Sequence, residues 1–219
     1  MNNATDLLLG PITPSDDLFE TITRDLEAKG YVYLPSALPQ SVTDSLLDYL
    51  GQLEHQKFHE ARTGRGRGKI RNRFVRRDRI HWIDETNPAA ASWLDWSQQL
   101  QAYLNRHLFL GLFSFESHFS HYRAGDFYRK HLDAFKGKSN RVLSLVVYLN
   151  RGWEPDHGGE LVIYSPEDGS DLVKVTPGLA TLVLFLSEDF EHEVLPTNRD
   201  RYTVAGWFRR QGNLIKAVI

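Results

Sequence analysis

The 219-residue chain contains no cysteine. This absence excludes disulfides, iron–sulfur clusters, zinc–thiolate sites and catalysis by a thiol nucleophile. The chain also lacks any apolar run close to the roughly 20 residues that a membrane-spanning helix needs. Its start, Met1–Asp6, has no basic region of the kind that opens a secretory signal. We therefore expect a cytoplasmic protein that makes no contact with a membrane.

Charge is unevenly distributed along the chain. The net charge is −2, yet Arg62–Arg79 holds nine basic residues and one acidic residue, Asp78. The segment thus carries +8 and the remaining chain −10, which favours contact with an acidic partner surface. A solvated, mobile loop is the alternative, because three glycines between Thr63 and Gly68 predict a flexible turn.

The first half of the chain has the apolar spacing of amphipathic helices. Length and composition predict one domain, residues 1–219, in which residues 1–110 provide helical support. Apolar residues recur at helical spacing in three segments. The predicted elements are helices over Asp16–Lys29, over Ser41 to about His55 and from Asn87–Pro88 onward, a strand over Tyr31–Leu34 and an extended segment over Arg73–Ile83.

After Phe109 the pattern changes to short, alternating apolar runs separated by Gly, Pro, Asn and Asp. Helices followed by many strands predict an α+β, mainly β fold, with helices packed on one face of an antiparallel sheet system and a core over about residues 111–210. The predicted strands are Phe113–Tyr122, Tyr128–Asp133, Val142–Leu149, Glu160–Tyr164, Ala180–Leu186, His192–Val194 and Tyr202–Phe208.

The strongest candidate for chemistry is a set of three metal-binding side chains. If Tyr128–Asp133 is a strand, His131 and Asp133 lie on the same face, and His192 can join them from a distant strand. Two histidines and one carboxylate form the facial triad of non-haem iron(II) oxygenases, although manganese, cobalt, nickel or zinc also accept such ligands. His-x-Asp by itself is a weak signal, because such a pair is more often a surface strand or an ordinary polar contact.

Arg201 strengthens the metal hypothesis. Its strand places Arg201, Thr203, Ala205 and Trp207 on one face. A buried arginine is costly without an anion, and its planar guanidinium binds a carboxylate at two points. A dicarboxylic keto acid fits both ends, with its keto acid group on iron and its far carboxylate on Arg201. An ordinary structural ion pair is the alternative, and Arg199 is a nearby rival.

The order of several motifs along the chain resembles that of a known family. The ordered motifs, within Arg73–Arg209, are similar to those of the 2-oxoglutarate- and iron(II)-dependent prolyl 4-hydroxylases, above all the hypoxia-factor type and its bacterial relatives. These motifs are His131-Leu132-Asp133, Val147-Tyr148-Leu149-Asn150, Gly158-Gly159-Glu160-Leu161, His192-Glu193-Val194, Arg201 with Trp207-Phe208, and Arg76-Arg77-Asp78-Arg79-Ile80-His81-Trp82.

The resemblance implies a double-stranded β-helix, a jelly-roll or cupin-like fold, with iron(II), 2-oxoglutarate and O₂ as cofactor and co-substrates and L-ascorbate as a further candidate. It assigns roles by position. The implied residues are the iron ligands His131, Asp133 and His192, the 2-oxoglutarate contacts Arg201, Tyr148 and Tyr122, the peptide contacts Trp207, Arg141, Asp78 and Arg76, and a finger-like loop over Gly64–Arg73 that covers the substrate.

Some of these roles have structural alternatives. Tyr148, Tyr122 and Trp207 would also serve as core aromatics, Arg141 as a solvated strand start, and Asp78 as a neutralising partner of its arginine neighbours. The chain departs from the hypoxia-type enzymes at Ala205, where they have a threonine.

The resemblance implies a hydroxylase of a prolyl residue in an intracellular protein, such as a translation or regulatory factor. A monomer is the default expectation for the oligomeric state. Hydroxylation of another residue or of a small molecule is the enzymatic alternative, and a metal-binding sensor without turnover is the non-enzymatic one. A nucleic acid partner is disfavoured, because the nucleic-acid demethylases of this superfamily carry a further arginine where this chain has Thr203–Gly206.

Overall fold

A computed structural model describes residues 14–53, 58–61, 74–135, 137 and 139–212. Within these residues, three α-helices precede most of the eleven strands. The helices are α1 (Pro14–Lys29), α2 (Gln40–Gln52) and α3 (Ala91–Leu108), and the strands are β1 (Tyr31–Leu34), β2 (His59–Glu60), β3 (Arg79–Trp82), β4 (Leu112–Tyr122), β5 (Tyr128–His131), β6 (Arg141–Tyr148), β7 (Leu161–Tyr164), β8 (Asp171–Val175), β9 (Leu182–Leu186), β10 (His192–Val194) and β11 (Arg201–Arg210).

Seven strands form a large antiparallel sheet in the order β1-β9-β6-β11-β4-β3-β2. Side chains alternate between the two faces of a strand, so every second residue of these strands turns toward the helices. Phe119, Leu145 and Val204 are fully buried on that face and belong to one core with Ile22 of α1 and Trp93 of α3. The helices therefore support the large sheet from one side, as the sequence predicts.

Four strands form a smaller sheet in the order β5-β10-β7-β8, which faces the other side of the large sheet. A second apolar cluster joins the two layers, with Tyr148 and Phe185 from the large sheet and Leu161, Ile163 and Val175 from the small one. The antiparallel sandwich confirms the α+β, mainly β prediction and has the jelly-roll form. None of the described helices combines the length and apolar character needed to cross a membrane.

The structure corrects several element boundaries. β5 ends at His131, and Asp133 lies in the bend that follows, so the predicted strand to Asp133 is wrong. The third helix begins with a short 3₁₀ turn, Pro88–Ala90, whose start is capped by the Asn87 side chain. β8 has no counterpart in the prediction. His55 and the basic segment 62–73 lie outside the described residues.

Candidate active site

A cavity of about 760 Å³ opens between the two sheets. Its floor is the face of the large sheet that turns away from the helices, and its other wall comes from β5, β7 and β10. The predicted alternation of β11 is confirmed, because Arg201, Thr203, Ala205 and Trp207 all line the cavity. The polar positions of this sheet thus share one enclosed space.

The structure brings together His131, Asp133 and His192, one potential ligand atom from each lying within 4.8 Å of the others. His131 and His192 are direct partners in the pairing of β5 with β10. The Nε2 atoms of these histidines lie 3.7 Å and 3.6 Å from the two carboxylate oxygens of Asp133. Strand pairing, followed by the bend at Asp133, therefore builds the cluster, rather than alternation along one strand.

The hydrogen bonds of the two histidines suit metal binding. Nδ1 of His131 lies 2.7 Å from the carbonyl oxygen of Arg129, and Nδ1 of His192 lies 3.1 Å from that of Phe190. A carbonyl oxygen can only accept, so each Nδ1 carries the proton and each Nε2 keeps a free lone pair. Backbone contacts of this kind fix the tautomer of metal-ligating histidines.

The protonation states of His192 and Asp133 also favour binding of a cation. Burial lowers the pKa of His192 to about 4, with a further contribution from His131, so the imidazole is neutral at neutral pH. Burial alone would raise the pKa of Asp133, but His192, His131 and the Ser144 hydroxyl outweigh it and hold that pKa well below its usual range. Two imidazoles and one carboxylate fit a divalent metal.

Asp133 is held by two serines that the sequence did not single out. The Ser144 hydroxyl donates to Asp133 Oδ2 at 2.7 Å and lies 2.8 Å from the Ser187 hydroxyl. Both serines are almost fully buried. A serine inside an apolar strand such as β6 could have indicated them, but their target depends on long-range pairing.

Arg201 lies at the deep end of the cavity and is only 1% exposed. Its Nε has no hydrogen-bond partner within the described parts of the chain, and neither has the hydroxyl of Tyr148. The guanidinium carbon lies 4.9 Å and 5.1 Å from the ring centroids of Tyr122 and Tyr148. Gly159 (φ 69°) gives this side chain room, since a Cβ there would lie 3.0 Å from Arg201 Cδ.

A buried guanidinium with an unmet donor, beside a buried hydroxyl, favours binding of an anion. Arg201 with Tyr148 therefore fits the far carboxylate of a dicarboxylic keto acid. The rival Arg199 is exposed, donates to the Gly152 carbonyl oxygen and lies over Trp153, so the structure does not support it as the anchor.

Toward the outer end, Trp207 and Arg141 lie in the cavity wall, with the Arg141 guanidinium 3.6 Å from the Trp207 ring centroid. Arg76 also lines the cavity, and it pairs with buried Asp78 through bonds of 2.7 Å and 2.6 Å. Asp78 faces the neighbouring pocket instead. The structure thus shows Asp78 as the carboxylate that neutralises Arg76.

Sequence reasoning missed His118, Ser120 and Trp82, which all line the cavity. His118 and Ser120 share the β4 parity of Tyr122, and that alternation was the available signal. His121 has the opposite orientation, and its Nε2 lies 2.9 Å from Asp200 Oδ1.

Comparison with known proteins supports this arrangement. Residues 117–209 match the family model of the 2OG-Fe(II) oxygenase superfamily. Prolyl hydroxylase EGLN3 of Mus musculus is 28% identical over 200 residues, which cover 86% of this chain and 82% of that protein.

Solved structures show the same similarity. A Pseudomonas putida prolyl-4-hydroxylase is 37% identical, with a TM-score of 0.78 over 89% of this chain and all of the other. A Trichoplax adhaerens prolyl hydroxylase, in complex with a hypoxia inducible factor oxygen degradation domain peptide fragment, is 25% identical, with a TM-score of 0.78 over 89% and 90% of the two chains.

Proposed function

Because the chain belongs to the 2-oxoglutarate- and iron(II)-dependent prolyl hydroxylases, we propose that His131, Asp133 and His192 bind its catalytic iron. The protein is a dioxygenase that uses iron(II), 2-oxoglutarate and O₂. When bound, iron and 2-oxoglutarate supply the oxidising chemistry, while the protein supplies placement and exclusion of water. Three ligands from one side would leave coordination positions for 2-oxoglutarate and oxygen.

The observation that carries the proposal is the unsatisfied Arg201 in the same cavity as the ligand cluster. Arg201 would bind the far carboxylate of 2-oxoglutarate, and the Tyr148 hydroxyl would donate to the same carboxylate. Burial raises the pKa of Tyr148 to about 12, which keeps this hydroxyl protonated. Tyr122 would form the wall beside the guanidinium. These residues orient the co-substrate and take no proton from the substrate.

The peptide would enter at the outer end of the cavity. Trp207 and Arg141 would contact the chain around the target proline, and the Arg76–Asp78 pair would brace the approach from the basic segment. The +8 charge of Arg62–Arg79 supports a protein partner with an acidic surface. We propose 4-hydroxylation of a proline in a cytoplasmic protein, such as a translation or regulatory factor, by a monomer that uses L-ascorbate to keep iron reduced.

Two measurements test this function in sequence. Anaerobic iron(II) with 2-oxoglutarate should give a visible charge-transfer band in the wild-type protein, and the Asp133→Ala protein should lack both this band and 2-oxoglutarate turnover. Incubation of the wild-type protein with cell lysate, co-substrate and O₂ should then add one oxygen atom to prolines, as read by mass spectrometry.

Different failures have different meanings. No band in folded wild-type protein would reject the ligand assignment. A normal band with oxygen added to other residues would replace proline by another target. Full occupancy without any turnover would leave the sensor hypothesis as the correct one.

A further inference from the structure

A carboxylate bridges two arginines where the cavity meets the surface. Arg141 Nη2 donates to Glu116 Oε1 at 3.0 Å, and Arg209 Nη1 donates to Glu116 Oε2 at 2.8 Å. Arg141 at the same time stacks on Trp207. We call Arg141, Glu116 and Arg209 the rim bridge. It continues the polar face of the large sheet beyond the cavity.

Strand register positions the rim bridge. Glu116 of β4 is the direct partner of Trp207 in β11, and Arg209 of β11 is the partner of Arg141 in β6. The Nε of Arg209 also donates to Asn140 Oδ1 at 3.0 Å. Arg209 is thereby fixed on the outer side, so Glu116 links a fixed arginine to the one that lies over Trp207.

The charges of the rim bridge do not cancel. Two guanidinium groups share one carboxylate, and both oxygens of Glu116 are already engaged. A guanidinium carries five N–H donors. Arg141 uses its Nη2 toward Glu116, and its Nε and Nη1 have no hydrogen-bond partner among residues 74–135 and 139–212. Arg141 thus keeps both positive charge and donors for a second carboxylate.

Among the described residues that line the cavity, neither of the other two arginines offers this. Arg76 is paired at two points with Asp78, which is 1% exposed and cannot turn away. Arg201 lies at the deep end and is itself 1% exposed. At the outer end, a carboxylate that enters with the substrate therefore meets Arg141.

We propose that Arg141 recognises an acidic side chain close in sequence to the target proline, and that Glu116 is a positioning residue that holds Arg141 for this contact. The inference rests on the proposed function and specifies its substrate class. Trp207 pairs with Ser144, and Ser144 holds Asp133, so Arg141 lies near the reacting end of the cavity. An extended peptide advances about 3.3 Å per residue, so an acid within a few residues of the proline can reach.

The test uses matched synthetic peptides with one proline and either Glu or Gln at each neighbouring position. For wild-type protein loaded with iron(II) and 2-oxoglutarate, kcat/KM should favour Glu at one or two positions by about three- to tenfold, the range for one charge-assisted contact at a partly exposed site. Arg141→Gln should remove this preference. Arg24→Gln, at an exposed arginine of α1, is the matched control and should keep it.

Glu116→Gln separates the positioning role from charge recognition. Its peptide KM should rise by about threefold with kcat retained, because a released Arg141 samples more conformations before it binds, while the preference for Glu should persist. Unchanged peptide KM would overturn the positioning role. Equal use of Glu and Gln peptides by the wild-type protein, or a preference that survives in Arg141→Gln, would overturn the recognition.

The failure of this inference can be distinguished from failure of the proposed function. A normal iron–2-oxoglutarate charge-transfer band without charge preference rejects the inference alone. Absence of that band in the wild-type protein rejects the proposed function and the inference with it.

Discussion

The two faces of the large sheet are built from the same strands but differ in chemistry. Toward the helices, β4, β6 and β11 present buried apolar side chains such as Phe119, Leu145 and Val204. Toward the small sheet, the neighbouring positions are polar, among them Ser120, Ser144 and Arg201. One face gains free energy from burial of apolar area, while the other buries polar groups at a cost.

The helix-facing side of the large sheet supplies most of the stabilisation of this molecule. Apolar burial on the helix face stabilises the fold by about 25 cal/mol per Å². That surplus allows the opposite face to keep a cation and several hydroxyl groups away from water. Substitutions on the two faces should therefore have different signatures, one in unfolding and the other in binding.

A large loss of stability is expected for Phe119→Ala. Phe119 is fully buried and lies edge-on to Tyr49 of α2, with 5.3 Å between ring centroids. The substitution should lower the free energy of unfolding by about 3–5 kcal/mol, as measured by denaturant titration. The control is Ser120→Ala, one residue further on the cavity face, which should cost about 1 kcal/mol or less. Similar losses for both variants would contradict the division between the faces.

The next prediction concerns Arg201 on the cavity face, where stability and binding should change in opposite directions. Arg201→Met removes a buried cation with unmet hydrogen bonds, so the cofactor-free protein should gain about 1–2 kcal/mol of stability. Its affinity for 2-oxoglutarate should fall on the order of 100-fold, since the carboxylate loses its partner. Thermal unfolding without ligand and titration of 2-oxoglutarate measure the two quantities.

Arg76→Met is the matched control for Arg201→Met. It leaves the buried Asp78 without its cation and should cost about 3–5 kcal/mol. If Arg201→Met destabilised the cofactor-free protein as much as Arg76→Met, Arg201 would have an internal partner and the proposed anchor role would be wrong.

The last effect concerns pH. Burial is the main cause that lowers the pKa of His118 from its ordinary value of 6.5 to about 4. The unfolded chain binds a proton first as the pH falls, so the stabilisation present above pH 6.5 is lost progressively toward pH 4. Between pH 7 and pH 5 this amounts to about 2 kcal/mol. In His118→Leu, the change in unfolding free energy over this interval should shrink by that amount. A change equal to that of the wild-type protein would place the pH sensitivity elsewhere.

Local patterns predicted much of the fold. The bounds of β1 and β10 agree with the sequence prediction, and α1 and α2 begin within two residues of it. Apolar periodicity reports burial, and burial is what these elements share. β8 was missed because this edge strand, Asp171–Val175, is largely exposed and has only a weak alternation.

The clustering of three candidate ligands was predictable from the sequence, whereas the way in which the strands build the cluster was not. His131, Asp133 and His192 lie together, although strand alternation was the wrong reason, since Asp133 lies after the end of β5. The pairing of His131 with His192 and the Ser187–Ser144–Asp133 hydrogen bonds join residues far apart in the chain. Such contacts depend on sheet order and register, which a single sequence does not encode locally.

The cavity takes its two ends from different layers of the sandwich. His131 and His192 belong to the small sheet, whereas Arg201 belongs to the large one. A co-substrate that contacts both the histidines and Arg201 must span the distance between the two sheets. The separation of the sheets therefore determines which length of co-substrate fits. A keto acid one carbon shorter than this separation would contact one end and miss the other, whereas a longer one would have to fold to fit between the two sheets.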